Sequence, residues 1–221
     1  MSRSITTRLL LFCGVLGPLV FVLVFLVEGA LRPGYDAWRT TISTLSWGPR
    51  GWIQIADFEV FGVLMLGFAV GVRPALRGGS AAWSAPVLFA VMGLGLITAG
   101  MFATDPILGY PPGYSDAAPP TLHGTIHNLA SLIVFVGCAI ACFVVGARFV
   151  RRPGARGWAL YSILSGVLIL GSMVWFFAGV SADIRGSAVK GLPPGLRERL
   201  LSVVGCLWTM LLALRLARAP I

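Results

Sequence analysis

Charge is what this sequence lacks. Only 11% of its 221 residues are charged and 57% are hydrophobic, where a soluble domain carries about a quarter charged residues. That leaves too little polar surface to clothe a water-facing globule. Acid is scarcer still, with 8 Asp and Glu against 17 Arg and Lys. The net charge of +9 would suggest a nucleic-acid partner in a soluble protein. Here the basic residues cluster between apolar runs, so they report topology and no nucleic acid is expected. The four cysteines, Cys13, Cys138, Cys142 and Cys206, all fall inside apolar runs, which excludes a secreted disulfide framework. Cys138 and Cys142 stand one helical turn apart, a spacing open to a soft metal but also common among small buried packing residues. Alternating ten-residue segments are missing, so a membrane β-barrel is excluded. No phosphate loop, G-x-S-x-G elbow or H-E-x-x-H helix occurs, and no internal repeat suggests an inverted-repeat transporter.

What is present is a series of long apolar runs. A helix needs roughly 20 apolar residues to cross the hydrocarbon core, and six runs qualify, near 9–28, 53–72, 83–103, 124–147, 158–180 and 198–217. The expected fold is an all-α polytopic membrane bundle of six transmembrane helices, forming one transmembrane domain over 1–221. The first run is longer than a signal-peptide core, and Glu28 stands where a cleavage site wants a small residue, so it is expected to remain as a span.

Alternate connections differ in charge. The N-terminus (Arg3, Arg8), the second connection (Arg73, Arg77), the fourth (Arg148, Arg151, Arg152, Arg156) and the C-terminus (Arg215, Arg218) hold ten basic residues and no acid. The other three connections and adjoining helix ends hold seven basic residues, among them Lys190, and all eight acids. The positive-inside rule then expects both termini on the cytoplasmic side of the cell membrane. The inner connections are short and rich in Arg and Gly, whereas the outer ones are long and punctuated by Pro and Gly. In the first outer loop, Tyr35, Trp38, Ile42 and Leu45 share one helical face, with Asp36 placed to cap it. This predicts a short interfacial helix. Small residues within the spans (Gly67 and Gly71, Gly93, Gly95 and Gly100, Ser162 and Gly166) predict close helix approach.

Chemistry-bearing residues gather on the outer side. His123 and His127, the two histidines of the chain, open the fourth span at i and i+4, so both imidazoles can address one point. They are either half of a zinc site that needs a carboxylate or water from elsewhere or simply a polar, hydrogen-bonded helix start, and they cannot ligate a haem from both faces. Asp105, before Pro106, ends the third span close to where the fourth begins. Its carboxylate is a candidate third ligand or base, and also an ordinary turn-former. Asp57 stands early in the second span, and Glu198 opens the sixth beside Arg197 and Arg199. Acids at those positions favour the helix dipole, while intramembrane charge usually faces a partner or a cavity. Ser43, in the first loop, is one hydroxyl among several.

The ordered set Ile42-Ser43-Thr-Leu45, Trp52-Ile-Gln-Ile-Ala-Asp57-Phe58, Phe102-Ala-Thr-Asp105, His123-Gly-Thr-Ile-His127-Asn128 and Glu198-Arg199-Leu200 resembles the domain of unknown function 998 family of six-span prokaryotic membrane proteins. The resemblance covers nearly the whole chain and implies the six-helix fold. The Ser-containing loop and outer His are also distantly similar to eukaryotic membrane families linked to lipid remodelling or autophagy.

The expected function is an outward-facing hydrolase or transferase on a lipid or lipid-linked substrate, assisted by a divalent metal such as zinc. His123, His127 and Asp105 would be the ligands, and Asp105, Glu198, Arg199, Ser43 and Asp57 the catalytic candidates. The alternatives are a non-catalytic scaffold or sensor, and a proton or small-solute carrier. The carrier reading suffers from the near absence of ionisable groups in the middles of the spans. The expected partners are the bilayer and a lipid headgroup or lipid-linked substrate, and no feature of the sequence bears on oligomeric state.

Overall fold

A computed structural model describes residues 4–76, 78–114, 118–184 and 192–218; Arg3, Arg77 and Lys190, counted above for charge, lie outside them. Six α-helices follow one another: α1 (Ile5–Leu31), α2 (Gly51–Ala75), α3 (Ala81–Met101), α4 (Leu122–Val150), α5 (Arg156–Ile184) and α6 (Pro194–Arg218). All six are long and apolar enough to cross a membrane, and no strand occurs among the described residues. This is the expected all-α multi-pass architecture. Large apolar side chains such as Leu9, Leu23, Val70, Val87, Leu164 and Val174 point outward, as lipid-facing surface requires.

The helices close a ring in chain order, each packing on the next and α6 returning to α1. One end carries the α1–α2 and α3–α4 connections, the end of α5 and the start of α6, together with Glu28, Asp57, Asp105 and Glu198. The other end carries the Arg-rich α2–α3 and α4–α5 connections, the start of α1 and the end of α6. Toward this Arg-rich end the interior is plugged by Phe68, Phe89 and Trp208, all fully buried, with ring centroids 4.7 Å apart for the first pair and 6.1 Å for the second. Trp208 Nε1 donates to Ser162 Oγ at 3.2 Å, which satisfies its polar edge inside the bundle.

Close packing rests on the small residues, as expected. At the α2–α3 crossing a Cβ added to Gly62 would stand 2.6 Å from the carbonyl oxygen of Gly93, and one on Gly93 would stand 2.8 Å from that of Gly62. A Cβ on Gly71 would meet the backbone N of Leu11 at 2.9 Å, and one on Gly166 the ring of Phe143 at 2.9 Å.

The first connection departs from expectation. Instead of an interfacial helix capped by Asp36, residues 37–39 form a turn, and one 3₁₀ turn spans Ser43–Ser46. Asp36 Oδ1 does accept the Trp38 N–H at 2.9 Å, but Tyr35, Ile42 and Leu45 are buried while Trp38 alone stays exposed. Those side chains share a helical face in the sequence, and the segment folds inward because the bundle offers them more apolar burial than the interface does.

Gly62→Leu should therefore lower bundle stability by about 1–3 kcal/mol, because backbone faces the intruding side chain. Gly171→Ala, where an added Cβ meets nothing within 4 Å, should leave stability unchanged or raise it by up to about 1 kcal/mol through helix propensity. Thermal denaturation in detergent checks both.

Candidate functional site

The first connection is held by buried cations acting on backbone carbonyls. At the end of α1, Arg32 is 7% exposed. Its Nη1 donates to the carbonyls of Leu45 (3.2 Å) and Trp47 (2.7 Å), and its Nη2 to Glu28 Oε2 (2.8 Å) and the Arg50 carbonyl (3.2 Å). Glu28 also pairs with the Arg50 side chain. From α6, Arg199 donates to the carbonyls of Thr40 (3.0 Å) and Gly195 (2.9 Å) and to the Tyr35 phenol oxygen (2.6 Å). The phenol in turn donates to the Thr41 carbonyl at 2.8 Å. Burial pushes Tyr35 up to about 12, so it remains a donor across the physiological range. The N-terminal amides of α6 serve the same loop: Leu196 N–H donates to Trp38 and Gly195 N–H to Arg39. These are amides a helix leaves unpaired at its start. Gly195 is required there, since a Cβ would strike the Thr40, Ala37 and Trp38 carbonyls. The Glu198 carboxylate accepts the Ile42 N–H at 2.5 Å, beside Ser43.

This scaffolding presents Ser43 to His127. Ser43 Oγ lies 2.9 Å from His127 Nε2. His127 Nδ1 lies 2.9 Å from both the Ala99 and Phe102 carbonyls. Ala99 lies in the last turn of α3 and Phe102 caps its end, where helix carbonyls lack intrahelical partners. A carbonyl only accepts, so Nδ1 must carry the proton. In the neutral ring Nε2 is then an acceptor, and the Ser43 hydroxyl donates to it. His127 is 1% exposed, and Phe58 meets its ring edge to face at 5.9 Å between centroids. Ser43 is half-buried.

The expected metal constellation is not assembled. His123 is exposed and packs on Phe102, with 5.2 Å between ring centroids. Both nitrogens of His127 are engaged as described. Asp105 uses both oxygens on Thr121, accepting the backbone N–H at 3.0 Å and the hydroxyl at 2.5 Å. Thr121 caps α4 by accepting from Gly124 N–H, and Gly124 has no Cβ because one would collide with the Asp105 carboxylate. The carboxylate thus sits at the positive end of α4 and ties it to the end of α3. Among the described residues no three His, Cys, Asp or Glu side chains stand close enough to hold a metal ion. Asp57 is buried against Gln54, whose Nε2 donates to Oδ2 at 3.2 Å. Arg199 is spent on the loop. Of the catalytic candidates, Ser43 and Glu198 alone line a common cavity.

That cavity, about 70 Å³, opens beneath Ser43 toward the bundle interior. Phe21, Phe58, Phe61, Leu96 and Ile169 make it largely apolar, and Ser202, Cys206 and Thr209 continue it along α6. The arrangement supplies an oriented hydroxyl, a neutral imidazole to take its proton, and a largely apolar recess. Sequence reasoning named Ser43 and His127 separately without pairing them, and it passed over Arg32 and Glu28. The i, i+4 spacing of that acid and base at a span end was the available signal.

Arg32→Met should cost about 3–5 kcal/mol, because it leaves Glu28 buried with one partner and three loop carbonyls without their donor. Arg50→Met should cost far less, since its side chain is 49% exposed. Thermal unfolding, with limited proteolysis of the 32–50 loop, separates the two.

No curated protein and no solved structure matches this chain. The model of one family, described as "Protein of unknown function (DUF998)", matches residues 15–215. That span covers all six helices in whole or in part, and with it the loop serine, the α4 histidines and Glu198, so this multi-pass membrane protein belongs to the DUF998 family.

Proposed function

We propose that the protein is a membrane-embedded hydrolase or transferase in which Ser43 is the nucleophile and His127 its general base. On the positive-inside reading the site faces outward from the cell membrane. The observation that carries this reading is the Ser43 Oγ–His127 Nε2 hydrogen bond, with the opposite nitrogen fixed by two carbonyls. In serine hydrolases a third group orients the base, and here the carbonyls that the end of α3 leaves without intrahelical partners do so. Glu198 is a positioning residue: through the Ile42 amide it anchors the turn that presents Ser43.

A metal held by His123, His127 and Asp105 would require His127 to leave all of its present partners and Asp105 to release Thr121. The donor geometry therefore favours hydroxyl chemistry over the metal-assisted version. A carrier pathway would have to pass the Phe68–Phe89–Trp208 plug. A scaffold accounts for the loop cations but gives no role to an oriented Ser–His pair above a cavity.

An alkyl fluorophosphonate, which an activated serine attacks at phosphorus with loss of fluoride, tests the reading on purified protein. Peptide mapping should find the adduct on Ser43, none in Ser43→Ala, and labelling slowed by about 10²–10⁴-fold in His127→Ala. Labelling elsewhere, or at Ser43 undiminished in folded His127→Ala, would overturn it. The labelling rate should also fall on acidification, because protonated His127 has no lone pair at Nε2 to receive the hydroxyl proton.

A further inference from the structure

Beneath Ser43 the cavity runs along α6 from Glu198 to Thr209, about 16 Å of helix. Its volume is about 70 Å³. Its walls come from α1 (Phe21), α2 (Phe58, Phe61), α3 (Met92, Leu96), α4 (Val134) and α5 (Ile169), with α6 on the remaining side. It therefore lies inside the ring and parallel to the helices, and the aromatic plug bounds the bundle beyond it. A polar substrate would gain little from these walls, whereas each buried methylene gains from leaving water. In a bilayer, lipids hold their ester linkages near the interface with chains directed inward. That is the same relation as Ser43 at the helix ends with the cavity running away from it.

From this we infer that the cavity is an acyl-chain site and that the substrate class is a carboxylic ester of a hydrocarbon chain, cleaved at the carbonyl next to Ser43. The inference rests on the Ser43–His127 reading. Ser43 Oγ attacks the carbonyl carbon while its proton passes to His127 Nε2. The bond to the alcohol oxygen breaks, and the alcohol leaves with that proton. Water then attacks the acyl-serine through the same base, releasing the carboxylic acid and restoring the Ser43 hydroxyl. During both steps the carbonyl-proximal methylenes occupy the cavity.

Gly205 lines this space, where an added Cβ would meet only Cys138 Sγ at 3.4 Å and Ile169 Cδ1 at 4.0 Å. A larger residue there fits the fold and shortens the recess. Ile169, fully buried, offers the opposite change. The test is hydrolysis of p-nitrophenyl acetate, butyrate, hexanoate and octanoate by the full chain in phosphatidylcholine nanodiscs. Beyond acetate, kcat/KM should rise roughly fourfold per methylene until the cavity is filled. Gly205→Leu should move the maximum to shorter chains, and Ile169→Ala to longer ones. A flat chain-length profile, or one unmoved by both variants, overturns the acyl-site assignment even if Ser43 hydrolyses acetate and takes the fluorophosphonate. Absence of both ester hydrolysis and Ser43 labelling overturns the dyad, and the acyl site with it.

Discussion

Non-helical backbone that folds away from water into a helix bundle has to find its hydrogen bonds within the protein, and the stretch between α1 and α2 is under that constraint. Residues 32–50 turn into the bundle end, so their carbonyls face side chains and helix termini. Arg32 serves Leu45, Trp47 and Arg50; Arg199 and Tyr35 serve Thr40 and Thr41; the free amides of α6 serve Trp38 and Arg39. Breaking a buried charged partnership of this kind leaves an uncompensated group, which is costly. The loop is therefore fixed by cations whose role is architectural, and Ser43 inherits that rigidity.

His127 brings three elements together at one ring. It sits on α4, takes its tautomer from the end of α3 and receives the hydroxyl of the α1–α2 connection. The physical economy lies in the α3 carbonyls, which need donors in any case because the helix stops at Met101. By meeting that need, Nδ1 leaves Nε2 as the acceptor. The neighbouring Asp105 has a separate task, locking the α3–α4 corner through Thr121. Two histidines at i and i+4 thus have different environments: His127 is enclosed between helices, and His123 lies on the rim against Phe102.

The architecture was legible because spans obey length and hydropathy, and because Gly71, Gly93 and Gly166 mark crossings whatever the connections do. His127, Glu198 and Ser43 were legible as polar residues near one face. Their pairing was not, since two whole helices, α2 and α3, separate Ser43 from His127 in the chain and no short motif encodes the bond. The interfacial helix expected over Tyr35–Leu45 failed for a related reason. Periodicity shows which residues share a face, but not whether that face meets lipid or the bundle interior. The metal set failed because i, i+4 spacing aligns Cα–Cβ vectors, whereas the end of α3 turns only one imidazole inward.

The central claim is that His127 is held as a neutral ring with its proton on Nδ1. Nitrogen-15 NMR of histidine-labelled protein in nanodiscs reads that tautomer directly, with His123→Gln used to assign the signals. The account predicts a protonated Nδ1 and a bare, hydrogen-bonded Nε2 whose resonance shifts in Ser43→Ala. A proton on Nε2 with Nδ1 bare would contradict it, since the hydroxyl of Ser43 would then have no base to give its proton to.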